Sequence, residues 1–226
     1  MTHTGRIAAC LFLICIAGPL FAGAWQREPG TGFASLTQRL SWPQDTTTWQ
    51  SYEPTARYTS LYLEYGLAPR TTLGLDLGLA VSGAEKLVVF AQRPLHQPDR
   101  GPRLAYEIGF GRIAGQTVLR PGLSLGLGWD KGWFAADAIA EIPLTLDATD
   151  IKIDLTLGRN LPKDHKLILQ LQTGDTEMDP PFVRLETSVS RPLIGRFPRL
   201  KAETGVSLGL VNDDSMGVKF GLVTSF

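Results

Sequence analysis

The chain predicts an all-β fold, a transmembrane antiparallel up-and-down β-barrel of about twelve strands, with ten as the alternative count. Three observations carry this expectation. Segments of about ten residues alternate apolar with polar positions, the period of a strand whose two faces meet different surroundings, and about ten residues is the length that crosses a bilayer at a tilt. The polar face is dense in glycine, including Gly74, Gly78, Gly109, Gly111, Gly122, Gly126, Gly128, Gly205, Gly209, Gly217 and Gly221. Such glycines would weaken a solvated sheet, but inside a narrow barrel they leave room for long side chains from the opposite wall. Finally, in the last stretch Met216, Val218, Phe220, Leu222, Thr224 and Phe226 share one face, against Gly217, Lys219, Gly221, Val223 and Ser225.

At the amino end, Arg6 is the only Lys, Arg, Asp or Glu before Arg27, and an apolar run from Ile7 to Phe21 leads to Ala22-Gly23-Ala24. This is the pattern of a secretory signal peptide, so residues 1–24 are expected to be removed and residues 25–226 to form one barrel domain. A transmembrane helix fits worse, because the run is short and Gly18-Pro19 interrupts it. Cys10 does not suit lipid attachment, since it precedes the apolar core. Both cysteines, Cys10 and Cys15, lie in the removed segment, which leaves a mature chain without thiol or disulfide chemistry. The 22 basic and 22 acidic residues become 21 and 22 when Arg6 is lost, a net of −1. That balance does not suit nucleic-acid binding.

Trp25 to Gly32, with Pro29 and two glycines, is a poor strand and is placed at the periplasmic mouth or in the lumen. Alternation begins at Phe33 and runs to Trp42, with Gln38 the exception on the apolar face. A polar loop, Pro43 to Pro54, leads to Arg57–Tyr65. Leu73, Leu75, Leu77, Leu79 and Val81 then form the clearest apolar row. Glu85–Arg93 is apolar on both faces around Leu87-Val88-Val89-Phe90, as in a strand buried on both sides. Arg103–Ile113 and Leu119–Trp129 alternate cleanly, and Asp130-Lys131-Gly132 makes a short hairpin turn into Trp133–Ile142. Asp150–Gly158, Lys166–Gln172, Phe182–Arg191, Arg199–Leu210 and Met216–Phe226 complete the series. An even number brings both termini to one side of the membrane. Trp42, Tyr65, Trp129, Phe134 and Phe226 stand near strand ends on the apolar face, as an interfacial girdle would.

The closing strand resembles that of Gram-negative outer-membrane β-barrels, in which a terminal Phe after alternating apolar residues is the assembly signal. The resemblance implies an outer-membrane location, a lipid-facing wall, and recognition of Phe226 by the barrel assembly machinery. Arg27-Glu28-Pro29-Gly30 with Gly32-Phe33, and Glu64-Tyr65-Gly66-Leu67 running to Arg70 and Thr72-Leu73-Gly74, also resemble stretches of proteobacterial surface barrels of the phenol-degradation MetA-pathway or transporter-like kind. These are turn and girdle positions, so they imply architecture and location without indicating a solute.

Alternation turns Glu64, Asp76, Glu107, Asp137, Glu141, Asp154, Glu186 and Glu203 inward, together with Arg39, Arg103, Arg120, Lys152, Lys166, Arg184, Lys201 and Lys219. These are the candidate pore-lining residues. Their mixed signs suit a narrow, weakly selective passive channel or transporter for small solutes; the alternative is a closed structural barrel with a charge-paired lumen. A membrane-embedded hydrolase is less favoured. Its chemistry generally wants a histidine, and the mature chain has only His96 and His165, both in turns. No metal-ligand spacing appears, and no cofactor is expected. In the Trp133–Gly158 hairpin, a loop centred near Leu146 predicts Glu141 opposite Lys152 and Ile139 opposite Asp154.

Overall fold

The computed structural model describes residues 23–83, 85–145, 149–176, 180–193 and 199–226; the signal-peptide expectation falls almost wholly outside them. Twelve strands, β1 (Gly32–Pro43), β2 (Ala56–Ala68), β3 (Thr71–Ala80), β4 (Glu85–His96), β5 (Arg103–Ile113), β6 (Gln116–Trp129), β7 (Gly132–Pro143), β8 (Asp150–Leu161), β9 (His165–Asp175), β10 (Phe182–Pro192), β11 (Leu200–Val211) and β12 (Ser215–Ser225), form one closed barrel. Each strand pairs antiparallel with its sequence neighbours. The seam closes where Phe33 meets Ser225 and Pro43 meets Ser215. Closure removes the free edges that an open sheet of this size would expose. The start of β1 and the end of β12 lie on one rim, the termini rim. On the far rim the β1–β2 connection contains a single 3-10 turn, Thr46–Thr48.

The outer wall is where the apolar positions go. Leu123 is 60 % exposed, Val206 59 % and Phe110 57 %. In a water-soluble sandwich these rows would be packed against a second sheet. Here they clothe the outside continuously, beyond the apolar patch a soluble monomer presents. Gln38, the polar exception on this face, accepts a hydrogen bond from the Thr59 hydroxyl at 2.7 Å, which satisfies it within the wall.

Three local expectations are corrected. β4 is not buried on both faces: Leu87 (50 % exposed) and Val89 (55 %) point outward, while Val88 and Phe90 are buried in the lumen. Among the described residues, the space beside the luminal glycines is taken by neighbouring strands and by the segment before β1 instead of by the opposite wall. The Phe90 ring covers its cross-strand partner Gly74, and Trp133 covers its partner Gly158, so a Cβ at either position would collide with a ring. The β7–β8 register is shifted by two residues from the expected one: Ile139 pairs with Lys152, Asp137 with Asp154 and Glu141 with Asp150. A two-residue slip keeps every side chain on its face, so alternation cannot detect it. The observed ladder ends at the pair Glu141 and Asp150.

Candidate functional site

The lumen is built by the inward positions of all twelve strands, and its charges form groups set by side-chain reach. On the β3–β6 side Arg120, 2 % exposed, spans two strands to reach Asp76 at 2.6 Å and also holds Glu107 at 3.1 Å. Lys86 completes this group with a 2.8 Å contact to Asp76. On the other side Glu186, also 2 % exposed, receives Arg39 at 3.0 Å and Lys219 at 2.7 Å, and Lys219 bonds Glu203 at 2.6 Å. The Ser188 hydroxyl donates to Glu203 at 3.0 Å. Carboxylates held in this way are buried without being left bare, the condition under which luminal charge is tolerated.

The remaining predicted residues sit toward the rims or on β7–β8. Lys152 and Glu141 form an ion pair at 2.5 Å, made diagonally across the ladder. Arg184 bonds Asp213 at 2.7 Å near the far rim, and Lys201 bonds Asp164 at 2.6 Å near the termini rim. Asp137 and Asp154 stand directly opposite one another. Asp154 accepts from the Gln170 amide at 3.4 Å, and Oδ1 of Asp137 has no hydrogen-bond partner among the described residues. Glu64, 2 % exposed, is paired with Arg27 at 2.5 Å and accepts the Tyr62 hydroxyl at 2.7 Å.

The stretch from Trp25 to Gly32, expected at the periplasmic mouth or in the lumen, is found at the termini rim, with its side chains turned into the lumen. The segment before β1 enters the lumen there. Ala24 is fully buried, its carbonyl accepts from Gln97 at 2.6 Å, and the Gly23 carbonyl accepts from Gln92. The Trp25 ring lies over Gly126 and packs near Trp133. The Arg27 backbone N–H donates to the Thr72 hydroxyl at 3.1 Å. Deeper in, Phe33, Tyr62 and Phe90 form a chain of rings, edge-on at 6.3 Å and stacked at 5.6 Å. Arg27 lies over Phe33 at 4.7 Å and Arg120 over Phe90 at 5.4 Å. Alternation does not point to Arg27, Lys86 and Asp213, because the first and last lie outside strands and Lys86 lies on a strand whose inner face reads as apolar. The inward parity shared by Lys86, Val88 and Phe90 was the available signal.

The sequence matches no protein-family model and no curated protein. Solved structures share the fold. The chain superposes on the KdgM porin in complex with disordered oligogalacturonate with a TM-score of 0.64 at 12 % identity, covering 85 % of this chain and 99 % of that one. For the NanC porin the TM-score is 0.64 at 10 % identity, with 84 % and 98 % covered. For an outer-membrane channel from Pseudomonas putida F1 it is 0.58 at 9 % identity, with 92 % and 100 % covered. At these identities the likeness is one of fold: a porin-like barrel.

Proposed function

We propose that the protein is a Gram-negative outer-membrane barrel acting as a narrow passive channel or transporter for small solutes, lined by the luminal charges named above. The observation that carries this reading is the mixed-sign lining of a closed twelve-strand wall whose outside is apolar. Eight strands are filled by their own side chains and about sixteen leave a wide aqueous channel, so twelve suit a narrow passage. The porin and channel neighbours support conduction over enzymatic chemistry. We further propose removal of residues 1–24 and recognition of Phe226 during barrel assembly. Its ring is 56 % exposed on the outer wall, and its backbone N–H and carbonyl bond Gly32 at 3.0 and 2.7 Å across the seam.

One observation favours a second reading, a closed structural barrel: the pre-β1 segment and the Phe33–Tyr62–Phe90 rings stand in the lumen together. Planar-bilayer recording of the refolded mature chain separates the two. The channel reading expects small conductance steps with weak ion selectivity, enlarged in Arg27→Ala, which releases the segment from Glu64. Silence from both proteins at verified insertion would establish the closed barrel.

A further inference from the structure

The far rim carries a feature that the lumen does not use. The β1–β2 connection folds back over the outside of the barrel, and its rings form a groove of about 580 Å³ against the outer wall. One side is Trp42, Trp49 and Tyr52; the other is the outward row Leu185, Val206, Leu208 and Val218 from β10, β11 and β12. The volume falls within the ~300–1,000 Å³ of small-molecule sites.

The loop is built to hold this shape. Asp45 caps the Thr46–Thr48 turn by accepting from the Thr47 N–H at 2.9 Å. Trp42 and Trp49 stack at 6.3 Å, and Tyr52 meets Trp49 edge-on at 6.4 Å. Both indole N–H groups are spent inside the loop, Trp42 on the Tyr52 carbonyl at 3.0 Å and Trp49 on the Pro43 carbonyl at 2.9 Å. The two indoles therefore offer only hydrocarbon to the groove, and the Tyr52 hydroxyl is the polar group of this wall. The opposite wall is continuous with the apolar belt, so whatever enters comes from the bilayer.

We infer that this groove binds an acyl chain of a phosphorylated glycolipid of the lipid A type, the lipid of the leaflet that the far rim would face. The lining, apolar apart from Thr187, Ser207 and the Tyr52 hydroxyl and without a charged side chain, suits hydrocarbon better than a sugar or an ion. The exposed Tyr52, with the exposed Arg57 at an outward position next to Leu40 on the adjoining strand, suits a phosphate headgroup at the water boundary. The inference rests on the barrel facing a bilayer with its far rim outward, and is independent of conduction.

The test is native mass spectrometry of detergent-purified barrel offered hexa-acylated lipid A or, separately, dioleoylphosphatidylethanolamine, with heat-modifiable migration verifying the fold. We expect a one-to-one lipid A adduct with the parent protein. It should be weakened about tenfold in Trp49→Ala, which removes the roof, and in Val206→Trp, which fills the floor from outside the fold. Arg57→Gln should narrow the preference for lipid A. Conductance should be unchanged in all three, so a failed channel and a failed groove are told apart. An adduct insensitive to both groove variants, no adduct with lipid A, or equal retention of the phosphatidylethanolamine would overturn the inference.

Discussion

Two stretches of the same lumen treat their acids differently. On the wall formed by β10, β11, β12 and β1, Glu186 is reached by Arg39 and Lys219 from other strands, and all three side chains are largely withdrawn from solvent. On β7–β8, Asp137 faces Asp154 directly across the ladder. The difference is one of reach. Arg and Lys can cross a strand or two along the concave wall, whereas Asp, one methylene long, stays where the register puts it. Pairing in this barrel is therefore delivered by long cations, and the β7–β8 acids must rely on Lys152 and on amide groups nearby.

The largest expected effect comes from breaking the well-paired side. Glu186→Gln leaves Arg39 and Lys219 facing a neutral group, and unfolding by urea in detergent should show a loss of about 3 kcal/mol. The estimate stands at the low end for a buried pair because Lys219 keeps Glu203 and Arg39 is partly solvated. An unchanged midpoint would mean that this group contributes nothing to holding the wall.

A smaller effect sharpens the other side. Lys152→Glu removes the cation from Glu141 and adds a third carboxylate near Asp137 and Asp154, with an expected cost of about 1–2 kcal/mol. Glu141→Lys combined with Lys152→Glu should recover much of it, with a coupling of about 0.5–3 kcal/mol. Additive losses in that double-mutant cycle would show that the diagonal ion pair is not formed. Under the channel reading, the single change also turns a nearly neutral lining acidic, and the reversal potential under a salt gradient should move toward cation preference.

The smallest effect lies at the far rim. Burial pushes the Asp213 carboxyl up, but hydrogen bonds from Arg184 and Ser215 with the Arg184 charge outweigh it and hold the group below its ordinary 3.8. A folded-state value below the unfolded one means that its stabilisation is complete above the ordinary value and is lost as pH falls through the lowered one. Arg184→Gln should therefore unfold more easily than the parent near pH 6, and the gap should close as the solution is taken below about pH 4. A gap independent of pH would assign the effect of Arg184 to its packing against Phe182, which it overlies at 5.9 Å.

Alternation and the glycine-rich inner face are enough to read the class of fold, the number of strands and the inward parity of Glu64, Asp76, Arg120 and Glu186 from the chain alone, because a strand's faces follow from a period of two. The pairing of those residues is a different matter. Arg39 with Glu186 and Arg120 with Asp76 join strands that are not neighbours, so their contacts depend on how the wall curves. The β7–β8 register escapes for a related reason: slips of two residues leave the faces unchanged. The proline and glycines after Trp25 place that segment at the mouth or in the lumen, but neither its partners there nor the return of Trp49 over the outer wall has a periodicity to announce it. For every strand but β4 the sequence by itself determined which side faces outward and which faces the lumen, since that choice is local. Tertiary structure alone decided which charges meet, what occupies the lumen and where the outer groove forms, because these depend on closure of the barrel and on side chains reaching between distant parts of the chain.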